Sequence, residues 1–359
     1  MAKSVFGIPG IGPKKEKELI EAGFDTPEKL SNANGYELEK LPGFGLHTAC
    51  NIMAFYGKSL KYPDMQEITT SKACDVLIEN KTIKPWRVYK KTDEVAPGPE
   101  NFKLERTTVW SFEKRGTWAS HTPQYRGNWP PEVARNVILR YSKPGDIVLD
   151  PMVGGGTTPV ECLLNGRNSI SNDINPGAIS IVRDRLDLPE SLTKELPKTT
   201  HRTFVGDTRN LNLIDSNSID LIATHPPYVN IIKYAPSVEG DLSELSNYSL
   251  FFKEFRKAIA EYYRVLKPNA YCAILIGDTH NKSHYVPVST KMMIDFLKQG
   301  FVLKEDIIKR EWNCESDRYL QKYANANFLL TMHEHLFIFR KPADGEKKPE
   351  NSSYKLFEE

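Results

Sequence analysis

The chain has 359 residues, of which 40% are hydrophobic and 10% aromatic, enough to bury a sizeable core divided over two or three domains. The formal net charge is only +2, and no apolar run reaches membrane-spanning length. The sequence begins with no signal peptide, so we expect a soluble, cytoplasmic protein with no membrane partner. The five cysteines are scattered without a Cys-x-x-Cys pair. This pattern argues for a reducing compartment and against a metal site.

Residues 1–57 contain a repeated glycine pattern. Pro9-Gly10-Ile11-Gly12 and Pro42-Gly43-Phe44-Gly45 each precede a run with helical periodicity, and Gly10 and Gly43 are 33 positions apart. Such a turn leaves backbone N–H groups at the start of the next helix, where they can bind phosphate. The alternative is a small interaction domain whose glycines only make turns. The predicted nucleic-acid contacts here are Gly10, Gly12, Lys14, Gly43 and Gly45.

This segment resembles a tandem helix-hairpin-helix domain over its whole length. The resemblance implies a small all-α domain that grips the nucleic-acid backbone with little sequence specificity. Residues 58–105, interrupted by prolines, are predicted to form a connector. Between residues 80 and 145, 13 Lys and Arg stand against 6 Asp and Glu. That excess suits a polyanionic substrate, although a solvated charged surface is the alternative.

From residue 106 to 341 strand and helix patterns alternate, which predicts an α/β domain with a mostly parallel sheet covered by helices on both faces. The charged residues 342–359 are predicted to form a disordered tail. The predicted strands are Ile147–Leu149, Ser169–Asn172, Thr203–Val205, Leu221–Thr224, Ala270–Ile276, Phe301–Lys309 and His335–Phe339. The predicted helices are Pro131–Tyr141, Thr157–Asn165, Gly177–Leu186, Leu250–Leu266 and Ser289–Gln299.

A glycine-rich turn follows the first of these strands, with the sequence Asp150-Pro151-Met152-Val153-Gly154-Gly155-Gly156-Thr157. In an open α/β sheet, ligands sit beyond the carboxyl ends of the strands, and glycines let the backbone approach them. We expect Thr157 to cap the following helix. Asp173 and Asp207 end the next two strands, and each acid taken alone would fit an ordinary turn. Together the three strand ends predict a nucleotide-cofactor site.

A second motif, Thr224-His225-Pro226-Pro227-Tyr228, ends a later strand. Acceptors at this place can bind an amino group and draw its nitrogen toward tetrahedral geometry. The nitrogen lone pair is then free to attack a methyl group, and no covalent enzyme adduct is needed. Catalysis of this kind depends on orientation and preorganised electrostatics.

In this order the two motifs resemble the S-adenosylmethionine-dependent amino-methyltransferases of the N4-cytosine and N6-adenine type. The resemblance implies a Rossmann-like class I methyltransferase fold with S-adenosylmethionine as cofactor. It assigns the ribose to Asp173 and the adenine to Asp207, and it places His121 and Asn128 in a segment that covers the methionine end. The implied cofactor-binding residues are Asp150, Pro151, Gly154, Gly156, Thr157, Asp173, Asp207, His121 and Asn128.

The same resemblance assigns catalysis to His225, Pro226, Pro227 and Tyr228. In the family the first side chain and the first proline carbonyl accept the two amino hydrogens, and the aromatic ring stacks on the extruded base. His225 is a departure, because Asp, Asn or Ser is usual there. The Thr-His-Pro-Pro-Tyr string is closer to the Ser-Pro-Pro-Tyr type linked with cytosine N4. The loop that follows, with Lys233 and Tyr234, is expected to order around substrate.

We therefore predict methylation of a base amino group, with cytosine N4 favoured over adenine N6, most simply in DNA. The same chemistry on structured ribosomal or transfer RNA stays open, because only a small recognition region remains in the chain. A nucleic-acid-binding scaffold without catalysis is a second alternative. A hairpin-containing glycosylase is disfavoured, since no Lys or Asp nucleophile arrangement follows the hairpins.

Overall fold

The structure is a computed structural model. Gly45, Lys233 and Tyr234 lie outside the residues that it describes, as does most of the connector. The described residues are 6–33, 38, 41–44, 46–56, 62–70, 96, 98–99, 101–123, 125, 127–228, 238, 240–245, 247–281, 284–312 and 329–346.

Helices and strands follow one another along the described chain. The helices are α1 (Pro13–Glu21), α2 (Pro27–Asn32), α3 (Leu46–Phe55), α4 (Pro131–Tyr141), α5 (Thr157–Leu164), α6 (Pro176–Leu186), α7 (Glu190–Thr193), α8 (Tyr248–Val265) and α9 (Val288–Gln299). The strands are β1 (Gln66–Glu67), β2 (Val109–Ser111), β3 (Ile147–Asp150), β4 (Asn168–Asp173), β5 (His201–Val205), β6 (Ile219–Thr224), β7 (Leu266–Gly277), β8 (Thr279–Asn281), β9 (His284–Val286), β10 (Val302–Arg310) and β11 (His333–Arg340).

Nine of these strands form one sheet in the order β1-β5-β4-β3-β6-β7-β11-β10-β2. The central strands β5, β4, β3, β6 and β7 run parallel, and β11 is inserted antiparallel between β7 and β10. The predicted α/β class with a mostly parallel sheet is confirmed. The order reverses at β3, so β4 and β6 diverge from it at a topological switch point, where ligands bind in open sheets.

Apolar cores cover both faces of the sheet, because successive side chains of a strand point to opposite sides. Leu149 and Ile222 pack in one core with residues of α8 and α9. Val148 and Leu221, their neighbours along the same strands, pack in the other core with residues of α4. This double burial explains why the central strands are almost continuously hydrophobic.

Several short elements, among them β1, β2, α7, β8 and β9, were not predicted. β1 comes from the connector and pairs antiparallel with β5, while β2 pairs parallel with β10 at the opposite edge. Strands of two and three residues carry no periodicity from which they could be predicted. At the start of the predicted tail, Glu346 Oε2 accepts from Arg340 Nη1 at 2.7 Å, and the disorder of the tail stays a prediction.

The two glycine patterns near the N-terminus form matching turns. The N–H of Ile11 donates to the Ile8 carbonyl at 3.2 Å, and the N–H of Phe44 donates to the Leu41 carbonyl at 2.9 Å. Gly10 and Gly43 hold the same place in the two turns, with φ of +81° and +73°, a conformation that favours glycine. The described part of this region is helical, as expected. Its role as a helix-hairpin-helix module stays a prediction.

No helix in the described ranges combines the length and the apolarity needed to cross a lipid bilayer.

Candidate active site

An open cleft of about 740 Å³ lies at the carboxyl ends of the parallel strands. The cleft is lined by the strand-end acids Asp150, Asp173 and Asp207 and also by His225 and Pro227. The two motifs that the sequence separates by about seventy residues therefore share one site, because β3 and β6 are neighbours in the sheet.

The glycine turn enters α5 differently from the prediction. Gly156, in a left-handed conformation with φ of +81°, is the N-cap, and Thr157 is the first helical residue. The Thr157 hydroxyl donates instead to Asn128 Oδ1 at 2.6 Å. The prediction that Thr157 caps the helix was wrong, because the left-handed residue before it takes that place. Pro151 and Gly154 line the cleft, whereas Gly156 and Thr157 lie behind it in the described site.

Asp173 closes the glycine turn onto the next strand. Its two carboxylate oxygens accept from the N–H groups of Gly154 and Asn175, both at 2.9 Å. Burial raises the pKa of Asp173 to about 7, although these two bonds lower it. Burial likewise raises the pKa of Asp150 to about 6, and the Thr158 hydroxyl donates to that carboxylate at 2.5 Å. Both acids are poorly solvated, so further hydrogen-bond donors in the cleft would stabilise their charged forms.

Asp207 lies in the cleft but is engaged in a buried ion pair. Its oxygens accept from Arg209 Nε at 2.8 Å and from Nη2 at 2.6 Å. Arg209 also donates to Glu254 at 2.9 Å, and its guanidinium lies 4.2 Å from the centre of the Tyr62 ring. Residues of the connector and of α8 thus hold the strand end that carries Asp207. The predicted contact of Asp207 with adenine stays a prediction.

The segment before α4 supplies one wall of the cleft. Asn128 and Trp129 line it, as does Tyr125, which sequence reasoning did not single out. Asn128 Oδ1 is occupied by Thr157, and Asn128 Nδ2 is buried without a hydrogen-bond partner in the part of the chain that the structure describes. An unmatched buried donor at this position fits the carboxylate end of an amino-acid-like ligand.

His121 is placed elsewhere. Its side chain is buried, and its Nε2 lies 2.8 Å from Glu161 Oε1, which also accepts from Trp118 Nε1 at 2.7 Å. Burial lowers the pKa of His121 despite the neighbouring carboxylate. Within the described residues the cleft lining does not include His121. The structure therefore gives His121 a supporting position behind the wall.

The motif Thr224-His225-Pro226-Pro227-Tyr228, which we call the clamp, is hydrogen-bonded to a residue of β11. His225 Nε2 lies 2.6 Å from the Tyr228 hydroxyl, which donates to Glu334 on β11. Lys309 on β10 donates to the other oxygen of Glu334 at 2.8 Å. The Tyr228 ring packs on Gly277, where an added Cβ would lie 3.1 Å from the ring. Pro226 is buried between the two partly exposed residues His225 and Pro227.

Sequence reasoning missed Glu334, although one signal was present. Leu336 and Ile338 lie at alternate positions of the same strand and belong to the buried core. Glu334 continues that stripe, so a carboxylate falls where the pattern demands an apolar side chain. Buried carboxylates of this kind are paired with specific partners. Asp241 and Leu242, from the loop before α8, are further cleft residues without a sequence signal.

Comparisons with known proteins identify the family of the chain. A profile described as DNA methylase matches residues 25–184 and 219–357. The type II methyltransferase M.MthZI of Methanothermobacter thermautotrophicus is 27% identical over 171 residues, which are 43% of this chain and 48% of the relative. M.MjaII of Methanocaldococcus jannaschii is 42% identical over 107 residues, 25% of this chain and 20% of the relative.

A DNA adenine methyltransferase of Escherichia coli, YhdJ, is 31% identical over 126 residues, 35% of this chain and 43% of the relative. The chain thus matches less than two thirds of the length of these relatives. A solved S-adenosylmethionine-dependent methyltransferase of Methanosarcina mazei superposes with a TM-score of 0.40 at 14% identity, over 58% of this chain and 97% of the other. The profile spans most of the sequence, including the glycine turn, Asp173 and the clamp, and the chain belongs to the DNA methylase family.

Proposed function

We propose that this protein transfers a methyl group from S-adenosylmethionine to the exocyclic amino group of a DNA base, with N4 of cytosine favoured over N6 of adenine. One observation carries the proposal. His225 and Pro227, which follow β6, line the same cleft as the Asp150 turn, which follows β3. A cofactor site and an amino-group clamp at one sheet edge form the arrangement that direct methyl transfer requires.

The residues of the cleft suit the cofactor of this family. Asp173 offers buried carboxylate oxygens to ribose hydroxyls, and the unmatched Asn128 Nδ2 offers a donor to the methionine carboxylate. The cofactor would lie beside Asp150, Pro151 and Gly154. Gly156 and Thr157 would lie behind these three residues, away from the cofactor. When bound, S-adenosylmethionine supplies an electrophilic methyl group on a sulfonium. The chain's own task is to orient the acceptor nitrogen and to exclude water from the cleft.

The clamp then prepares the amino nitrogen. His225 accepts one amino hydrogen through its unprotonated ring nitrogen, and the Pro226 carbonyl accepts the other. These two bonds draw the nitrogen toward tetrahedral geometry and localise its lone pair. Pro227 fixes the backbone that carries them, and the Tyr228 ring supports the extruded base. Acceptors held in place before reaction cost little reorganisation when charge develops.

The base and the nucleic acid are tested by one experiment. The protein is incubated with tritiated S-adenosylmethionine and with genomic DNA or total RNA from a strain that lacks the gene, and labelled nucleosides are identified by mass spectrometry. We expect N4-methylcytosine in DNA. N6-methyladenine would overturn the base preference alone; the Escherichia coli relative is named a DNA adenine methyltransferase. Label only in RNA would overturn the DNA substrate, and no label in either would overturn the methyltransferase activity.

For the N-terminal residues 1–57 we propose backbone binding of the same nucleic acid, as a tandem helix-hairpin-helix module. The two matched glycine turns support it, because one precedes α1 and the other precedes α3, and helix N-termini can bind phosphate. Lys14 is exposed in the first turn of α1, where it can add charge to such a contact. This module would supply affinity, while the clamp reads the base.

A further inference from the structure

We propose that Glu334 is a positioning residue for methyl transfer: acting through the Tyr228 hydroxyl, it keeps the His225 proton on Nε2 and so presents Nδ1 as an acceptor to the target amino group. This inference rests on the proposed function, and it explains how a histidine can stand where the family usually has Asp, Asn or Ser. A histidine accepts through a given nitrogen in only one of its two neutral tautomers.

The contacts define a chain that runs from β10 to the clamp. Lys309 Nζ donates to Glu334 Oε2 at 2.8 Å, and the Tyr228 hydroxyl donates to Glu334 Oε1. The same hydroxyl oxygen lies 2.6 Å from His225 Nε2. The direct separation of His225 Nε2 from Glu334 Oε1 is 3.6 Å, so Tyr228 is the better hydrogen-bonded route between them.

Counting protons fixes the direction of these bonds. An ionised carboxylate only accepts, so the single hydroxyl proton of Tyr228 points to Glu334. The hydroxyl oxygen is then an acceptor for His225, and Nε2 must carry the ring proton. In the neutral imidazole this leaves Nδ1 with its lone pair. A ring with the opposite tautomer would turn an N–H toward the amino group, which also donates.

Lys309 keeps Glu334 in the ionised form that this chain needs. Both residues are buried, with exposed fractions of 7% and 8%. Burial alone would raise the pKa of Glu334, but Lys309 and His225 lower it well below its usual range. The pKa of Lys309 is raised, because Glu334 and Glu311 outweigh the effect of its burial. Removal of one partner from such a buried pair leaves an uncompensated charge.

His225 Nδ1 is available for this task. It is buried and makes no hydrogen bond with any described residue. His225 also lines the cleft that holds the three strand-end acids. The centre of the Trp129 ring lies 6.4 Å from the centre of the imidazole at an interplanar angle of 33°. Because Nδ1 has no partner among the described residues and His225 lines the cleft, a donor on a ligand can serve as its partner.

The test is Glu334→Gln, which keeps the shape and removes the charge. Lys309 would hold the amide oxygen, so the amide NH₂ would face Tyr228 and reverse both bonds of the chain. His225 would then carry its proton on Nδ1. We expect kcat to fall roughly 100-fold, the size seen when one preorganised hydrogen-bonding group is lost. Because Glu334 would not touch the cofactor, the cofactor Kd of the variant should stay within about twofold of the wild-type value.

A double-mutant cycle separates this effect from general damage. Tyr228→Phe removes the hydroxyl and keeps the ring on Gly277, so it breaks the chain at its centre. If Glu334 acts through Tyr228, adding Glu334→Gln to Tyr228→Phe should change kcat less than threefold further. A full additional 100-fold loss in the double variant would overturn the proposal.

Tautomer detection gives a readout that is independent of methylation. Ring-¹⁵N-labelled histidine is incorporated, and the His225 signals are identified by their loss in His225→Asn. We expect a protonated Nε2 in the wild type and a protonated Nδ1 in Glu334→Gln. The opposite tautomer in the wild type overturns the proton chain even if DNA is methylated. If no nucleic acid is methylated, the proposed function fails, and the proton chain is still supported or overturned by these spectra.

Discussion

The carboxylate of Asp173 accepts a hydrogen bond from the backbone N–H of Gly154 at 2.9 Å, which ties the end of β4 to the turn after β3. The glycine turn is therefore shaped by an acid 19 residues further along the chain. Asp173 also lines the cleft, so one side chain both holds the glycine turn and forms part of the cleft wall.

Asp173 should make the protein less stable as pH rises. Its pKa is about 7 in the folded protein, above the ordinary value of 3.8. The folded state therefore binds a proton that the unfolded state has released, and the stability this contributes is lost as pH rises from about 4 to 7. When the pH is raised from 5 to 8, the free energy of unfolding measured in urea should fall by about 2–3 kcal/mol more for the wild type than for Asp173→Asn. Equal losses in the two proteins would contradict the raised pKa.

Substitutions on the cofactor side of the site should affect cofactor binding, and substitutions in the clamp should affect turnover. Asp173→Ala should weaken the cofactor by about 1–3 kcal/mol, the cost of removing one partner of buried donors, as measured by calorimetry. Tyr228→Ala should leave that affinity nearly intact and abolish most turnover, with about 1–3 kcal/mol of lost stacking on the base. Comparable loss of cofactor affinity in both variants would contradict this division.

The buried ion pairs of Arg209 with Asp207 and Glu254 should be essential to folding. Arg209→Met leaves Asp207 and Glu254 buried without their shared cation, both of them almost fully buried. We expect a loss of about 3–5 kcal/mol in unfolding free energy. Tyr62→Phe is the matched control, because it keeps the ring over Arg209 and removes only the Tyr62 hydroxyl, which donates to Glu254 at 2.5 Å and accepts from Lys257 Nζ. A loss for Arg209→Met no larger than that of the control would show that the pair is dispensable.

The N-terminal turns should contribute affinity for nucleic acid without specificity. Lys14→Gln should weaken binding equally for unrelated DNA sequences and reduce the salt slope of log K by about 1. Lys17→Gln is the control, since Lys17 is also exposed on α1 but faces Glu21 at 3.6 Å. Fluorescence anisotropy over a series of salt concentrations gives both numbers. An unchanged salt slope of log K for Lys14→Gln would show that Lys14 does not contact the nucleic acid.

Local sequence pattern was sufficient to predict the sheet and to place the candidate residues at one edge of it. The seven predicted strands and the five predicted helices all form, with boundaries that move by at most a few residues. The reason is physical: buried parallel strands and amphipathic helices differ in hydrophobic period, and the carboxyl ends of parallel strands meet at one edge. The sequence alone therefore predicts that one cleft contains Asp150, Asp173, Asp207 and His225.

Tertiary structure alone decided how the clamp is supported. Glu334 pairs with Gly277 in the register of β11 on β7, and the Tyr228 ring packs on the same glycine. Pairing between strands that lie far apart in the chain depends on the packing of the whole sheet, and local periodicity does not report it. The sequence determined which strands carry the chemistry. The register of β11 decided that a carboxylate from the C-terminal strand would orient His225.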